Sequence, residues 1–309
     1  KKILLNKLGF IIVDEQHKFG VKQRMDLAKK GGDDCDVLLM SATPIPRTMI
    51  LAIYGDMDIS KITEKPLKRK KIITLSKPEE KVIELLPLIN KEINNKNQIF
   101  WVCPLIDESR FFNYTSAVKK FEYLKKKFSE RVGLIHGALD KEDKELVLKK
   151  FLNKEIDILV STTVIEVGID FPNANLIIIE NANKFGLAQL HQLRGRVGSG
   201  ELQGMCILLF KGNLSQKAIQ RIKILKSTDD GFIIAEEDMR LRGHGDIIGF
   251  QQSGIKYFKI ADPVHHKDLF KIAEKKIKSE EHLLLSSNKF NFLLKLFDKA
   301  EVINENKEI

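Results

Sequence analysis

The chain has 309 residues, 43% of them hydrophobic and 30% charged, and a formal net charge of +10, which leaves room for about two domains with real cores and excludes a low-complexity chain. Three scattered cysteines, Cys35, Cys103 and Cys206, with no C-x-x-C, exclude a disulfide framework and a cysteine zinc site, and no apolar run approaches the ~18–20 residues of a membrane span. The basic surplus favours a polyanionic partner, nucleic acid before membrane, although a lysine-rich composition bias contributes to it.

In chain order, "FIIV" (10–13) is a continuous β-branched and aromatic run that reads as a buried strand, and "VLLM" (37–40) reads the same way. "IPRTMILAIYG" (45–55) reads as a helix ended by Gly55. The polar, basic stretch "KITEKPLKRKKI" (61–72), interrupted by Pro66, suits a linker. A second series then alternates helix and strand: "EEKVIELLPLINKEI" (79–93), "QIFWVCPL" (98–105), "AVKKFEYLKKKF" (117–128), "VGLIHG" (132–137), "KEDKELVLKKFLN" (141–153), "DILVSTT" (157–163), "ANLIIIEN" (174–181) and "GMCILLF" (204–210). Alternation of this kind predicts a mostly parallel α/β sheet with right-handed crossovers. From about residue 213 the texture turns helical, in "SQKAIQRIKILKS" (215–227) and "HKDLFKIAEKKIKSEEHLLL" (266–285), around the Gly- and Arg-containing segment "EEDMRLRGHGDIIGFQQSG" (236–254).

Four strand ends carry chemistry-bearing residues. Asp14, Glu15, Gln16 and His17 follow the first strand. Acids at a strand end are ordinary turn chemistry, but in open α/β sheets ligands bind at such ends, where a carboxylate can hold Mg²⁺ or orient a water. Ser41 and Thr43 follow the second strand, where hydroxyls and prolines also suit a plain strand–turn–helix join. Thr162 and Thr163 precede a loop with Gly168 and Asp170, a combination that suits phosphate contact. In "QLHQLRGRVGSG" (189–200), Gln192, Arg194 and Arg196, spaced by Gly195 and Gly198, are read as one compact cationic turn able to fork onto phosphate oxygens. His136 at a strand end is equally a structural or a nucleic-acid-facing residue, and His265 and His266 have no third ligand in sequence reach and read as helix-start surface residues.

Taken together and in this order, "DEQH", "SAT", "STTVIEVGID" and "QLRGRVG" resemble motifs II, III, V and VI of superfamily-two helicases. "DEQHKFGVKQR", "SATPIPRTM", "WVCPLI", "VGLIHG" and "NKFGLAQLHQLRGRVG" narrow the resemblance to the RecG-type, ATP-dependent branch-migration DNA helicases, and "DMRLRGHGDIIGFQQSG" resembles the translocation hairpin that this family shares with the transcription-repair coupling factor. The resemblance implies tandem RecA-like lobes, the first one truncated: 1–64 as the back of the first lobe, 65–212 as the second lobe, and 213–309 as a helical tail with the hairpin. It implies ATP and Mg²⁺ as cofactors, with Asp14 on the metal and Glu15 as the base or orienting group for the hydrolytic water. Gln16 and His17 would couple nucleotide state to lobe closure, with Ser41 and Thr43 bonding their turn. Gly168, Asp170 and Arg194 would face the nucleotide, and Gln192 and Arg196 would reach its γ-phosphate. Thr162, Arg240, Arg242, Gln252 and Ser253 would serve DNA contact and translocation.

As partners the resemblance implies branched double-stranded DNA (forks and Holliday junctions) and single-strand-binding protein, no membrane, and a monomer in a bacterial cytoplasm near the nucleoid. The same-class alternative is the transcription-repair coupling translocase; the other is a DNA-binding module without hydrolysis. The sequence departs from the pattern in three ways. It contains no G-x-x-x-x-G-K-[ST] and begins with Lys1, so the phosphate-cradling front of the first lobe is expected to lie outside this chain, which alone is expected not to hydrolyse ATP. Ser199 stands where the family carries a further arginine. In the hairpin, His244 and Asp246 replace the family's Pro and Glu.

Overall fold

A computed structural model describes residues 8–15, 35–41, 58–64, 70–104, 115–162, 171–200, 202–242, 266–285 and 288–296. The chain divides into two compact units, 1–45 with 60–249, and 46–59 with 250–309. No described helix is long and apolar enough to cross a membrane.

The first unit begins with β1 (Phe10–Val13) and β2 (Asp36–Leu39), a parallel pair in which Val13 lies opposite Leu39. Six further strands form an all-parallel sheet: β3 (Ile73–Pro78), β4 (Gln98–Val102), β5 (Val132–Ile135), β6 (Ile158–Ser161), β7 (Ala174–Ile179) and β8 (Met205–Phe210). Their order is β3-β8-β7-β4-β6-β5. β4, β6 and β7 are buried throughout, as expected for central strands covered on both faces, and their near-continuous apolar sequences follow from that.

Two cores flank the sheet. On one face Ile99, Trp101, Val160 and Ile178 pack against α1 (Leu86–Asn94) and α2 (Thr115–Phe128) through Ile89, Ile93, Leu124 and Phe128. On the other, Phe100, Leu159, Ile177 and Leu208 pack against α3 (Lys141–Leu152), α4 (Leu187–Arg194), α5 (Gln216–Ser227) and α6 (Gly231–Arg242). Phe100, Phe151 and Phe171 form an aromatic triangle with centroids 5.2–5.4 Å apart, each such pair contributing about 0.5–1.5 kcal/mol beyond area burial.

Several expectations are corrected. The segment 79–93 is not one helix: a 3₁₀ stretch runs Glu79–Leu85, and α1 starts at Leu86 with Pro87 in its first turn. Pro87 has no N–H for the preceding turn, so the helix restarts there. Residues 73–78, between the linker read at 61–72 and the helix read at 79–93, form a strand that the sequence reading did not assign. Among the described residues β3 is an edge strand paired only to β8, and Pro78 closes it, as prolines do on sheet edges. The first helices of the tail read from 213 onward pack on the sheet. Ile222 and Leu225 of α5 and Ile234 of α6 are buried in the core on one face of the sheet. The helix read at 45–55 lies outside the described residues.

In the second unit, α7 (Lys267–Leu285) carries a kink at Glu280, and α8 (Asn288–Leu296) follows. His266 is half-buried in the turn before α7, and its carbonyl accepts from Phe270 N at 3.2 Å.

Candidate nucleotide-facing site

Glu15 sits two residues past the last paired position of β1. Its backbone is left-handed at φ +48, a conformation that a non-glycine residue holds at a cost and that clusters at functional turns. The turn is pinned by Glu15 N donating to Asp14 Oδ1 at 2.8 Å. Asp14 is exposed while Glu15 is 8% exposed, so one carboxylate faces solvent and the other faces the protein. Ser41 occupies the corresponding position after β2 and is half-buried.

The second contribution comes from α4 and the turn after it. Residues 187–194 are helical, which corrects the reading of 189–200 as one turn: only Gly195 onward leaves the helix. The helix is capped from afar, with Leu187 N donating to Asp238 Oδ1 of α6 at 3.1 Å. The two arginines then part company. Arg194 is 2% exposed, and its Nη1 donates to Leu225 O at 2.6 Å and Thr228 O at 2.9 Å, while Nη2 donates to His191 Nδ1 at 2.9 Å. Its guanidinium holds α4 against α5, and the residue also lines the cavity described below. Arg221 clasps the approach to α4 in the same manner, donating to Phe185 O and Asn183 O.

Arg196 is half-buried. Burial presses its charge toward loss, and the carboxylate of Glu15 acts in the opposite sense, sustaining it. The turn that presents it cannot take a larger residue at Gly198: φ is +71, and an added Cβ would stand 3.1 Å from Gly204 Cα. Ser199, one residue on, is exposed.

Glu15, Gln192 and Arg196 line one cavity of about 670 Å³ together with Lys70, Glu64 and Phe232. Segment 61–64 forms part of its wall, with Lys61 Nζ 5.0 Å from the centroid of the Phe232 ring. The volume is in the range of a small-molecule or cofactor site. Two carboxylates of this type suit Mg²⁺, which takes one or two protein carboxylates plus substrate phosphates, and Arg196 suits a phosphate. Among the described residues no group of three or more His, Cys, Asp or Glu could form an all-protein metal cage. Lys70, Glu64, Phe232 and Asp238 were not singled out in the sequence. Nothing local marks them, since the cavity and the cap assemble them from distant segments.

Thr162 follows β6 and is fully buried, with its N donating to Ile135 O at 3.2 Å. Its hydroxyl has no hydrogen-bond partner among the described residues. Arg240 is exposed and ion-paired to Glu237 on its own helix. His136 is half-buried; burial first, and then the Lys144 charge, lower its pKa. Gln16, His17, Thr43, Thr163, Gly168, Asp170, Gln252 and Ser253 lie outside the described residues, as does the side chain of Arg242.

Residues 79–201 match the helicase conserved C-terminal domain, and residues 228–292 match the C-terminal part of domain 3 of ATP-dependent DNA helicase RecG. The parallel sheet with its arginine-bearing helix is the second, RecA-like lobe of a helicase. The chain is 49% identical over 257 residues to ATP-dependent DNA helicase RecG of Thermotoga maritima, covering 82% of this chain and 33% of that protein. The Bacillus subtilis protein of the same name is 45% identical over 260 residues, 84% of this chain and 38% of that protein. A solved structure of RecG bound to a three-way DNA junction superimposes with a TM-score of 0.65 at 43% identity, covering 85% of this chain and 34% of that one. The chain belongs to the RecG family. It spans about a third of the length of the relatives it matches.

Proposed function

We propose that this chain supplies the second motor lobe and the end of the first in an ATP-dependent translocase that remodels branched duplex DNA, at stalled forks and Holliday junctions. The observation that carries the reading is the meeting of Glu15, from the end of β1, with Gln192 and Arg196, from the far side of the second lobe, in one cavity. Neither group is usefully placed without the other, and a site assembled from two segments can open and close with nucleotide state. Mg²⁺ bound with ATP would neutralise charge on the phosphates.

Asp14, exposed at the turn, would help to hold that metal. Glu15 orients the attacking water and takes its proton. Gln192 and Arg196 hold the terminal phosphate, and Arg196 stabilises the charge that develops on it. Gln16, His17, Ser41 and Thr43 couple the turn to closure, and Gly168 and Asp170 face the nucleotide from the loop after β6. Arg240, Arg242, Gln252 and Ser253 act on the duplex. The family's names and the junction-bound relative support this assignment over the transcription-repair coupling translocase, as does the match of 228–292 to a RecG domain. The working form is a monomer in the bacterial cytoplasm, near the nucleoid, with single-strand-binding protein as a further partner.

The test is steady-state ATP hydrolysis by the full-length protein with a three-way DNA junction. Glu15→Gln keeps nucleotide binding and lowers turnover by about 10²–10⁴-fold, the range of a positioned base. Retention of more than about a tenth of the rate, set against that range, overturns the role of Glu15.

A further inference from the structure

The amino edge of the six-stranded sheet carries a feature that the motor reading does not use. α1, α2 and α3 run back to this edge and end in lysines: Lys91, then Lys125, Lys126 and Lys127, then Lys149 and Lys150. These helices lead into β4, β5 and β6, which are neighbours in the order β4-β6-β5. The three turns therefore lie side by side at about one strand spacing, ~4.8 Å.

Lysine in a last helical turn complements the helix dipole and needs no further reason. Lys96 and Lys154 do need one. Each lies past its helix at φ +61 and +62, a left-handed position where glycine or asparagine is the usual choice. Asparagine stands one residue earlier in both turns, at Asn95 and Asn153, while lysine takes the strained position itself.

The turns are also rigid. Lys96 N donates to Ile93 O and Asn97 N to Glu92 O, both at 2.9 Å, and Lys154 N and Glu155 N donate to Phe151 O and Lys150 O at 3.1 and 2.9 Å. The buried Gln98 amide reaches from β4 to the carbonyls of Phe151 and Ile156 in the adjacent turn. Every acid near these turns is engaged. Glu92 accepts from Asn97, Glu155 accepts from Asn153, Glu130 pairs with Lys125, and Asp157 pairs with Arg131. Lys91, Lys96, Lys126, Lys127 and Lys150 are exposed and have no ion-pair partner among the described residues, and Lys154, also exposed, adds its charge to that of Arg131 on Asp157.

The geometry points to this amino edge as a second nucleic-acid surface, on which lysines fixed to three adjacent turns hold the phosphodiester backbone of a duplex DNA arm. Lysine-rich surfaces are poor protein interfaces, which favour aromatic residues and arginine. Lysine contacts to phosphate position a duplex without reading its sequence. The surface occupies the β4-β6-β5 part of the amino edge, whereas the cavity, lined by Ile72 and Arg196, lies along the β3-β8-β7 part of the same edge.

The test is duplex binding to the chain, followed by fluorescence anisotropy over a series of salt concentrations. Each phosphate contact contributes about 0.9 to the slope of log affinity against log salt. Lys96→Gln, Lys150→Gln and Lys154→Gln together make the slope shallower by about 2–3, on that constant. The control, Lys217→Gln, Lys223→Gln and Lys226→Gln on α5, removes the same charge elsewhere and changes the slope by less than about 1. Circular dichroism and melting curves verify that both variants fold. Equal slope changes in the two variants, or an unchanged slope in the edge variant, overturn the proposal. Loss of poly-glutamate binding by the edge variant with its duplex slope intact overturns it as well, and assigns the surface to an acidic protein.

Discussion

Two regions of one parallel sheet, the carboxyl ends of β4 and β7 and the turns leading into β4, β5 and β6, treat charge in opposite ways. At the carboxyl edge, charges are buried and committed. Lys120 Nζ lies 2.7 Å from Glu180 Oε1 and 5.0 Å from the centroid of the Trp101 ring, and Cys103 Sγ donates to Glu180 Oε2 at 3.6 Å. At the amino edge Arg194 is buried and held by two carbonyls and a histidine, but the lysines of the β4, β5 and β6 turns stand in solvent, where Lys125 pairs with Glu130 and Arg131 with Asp157. The difference follows from burial. A charge withdrawn from water must be paired and hydrogen-bonded, and it then serves the fold. A charge left in water contributes little to stability and stays available to a ligand.

That contrast is broken or sharpened by substitution. The largest stability effect is expected for Lys120→Met, which leaves Glu180 buried without its partner and costs about 3–5 kcal/mol. Urea unfolding followed by Trp101 fluorescence measures it, and adding Glu180→Gln to Lys120→Met recovers part of the loss. A single-variant loss below about 1 kcal/mol would place the pair with ordinary surface ion pairs. Next comes Arg194→Ala, which strands two carbonyls and costs about 2–3 kcal/mol. At ~2–4 °C per kcal/mol in a unit of this size, the melting temperature falls by about 5–10 °C. Arg196→Ala should leave the melting curve nearly unmoved, so equal falls in the two variants would erase the distinction between the arginines.

The smallest effect belongs to His136. Burial and the Lys144 charge lower its folded pKa below the usual 6.5. The unfolded chain therefore binds the proton more readily in the window between the two values. The contribution of His136 is fully present above about pH 6.5 and is lost as the pH falls toward the folded value. Urea midpoints between about pH 5 and pH 8 should decline on the acid side in the parent chain and less so in His136→Asn. A parallel decline in both would mean that other groups govern the acid limb.

Much of the architecture is written locally. The apolar runs at 98–102, 174–179 and 205–210 become strands because buried parallel strands need apolar side chains on both faces. The paired acids at 14 and 15 and the arginines around 195 were visible as candidate chemistry because charged residues follow core elements directly. Pro87, which divides the segment 79–93, was also in plain view, but the apolar periodicity on either side of it read as continuous.

Tertiary structure decided the rest. The sequence alone could not tell Arg194 from Arg196, since both lie within one basic, glycine-spaced stretch. What separates them is the position of α5, whose carbonyls reach Arg194 from more than thirty residues away and leave Arg196 facing Glu15. Nor could it extend α4 to Arg194, because the helix takes its cap from Asp238, a side chain 51 residues distant. Hydrophobic pattern is local and periodic, so it survives in the sequence. The partner of a buried charge is set by which chain segments pack together, and no local pattern records that.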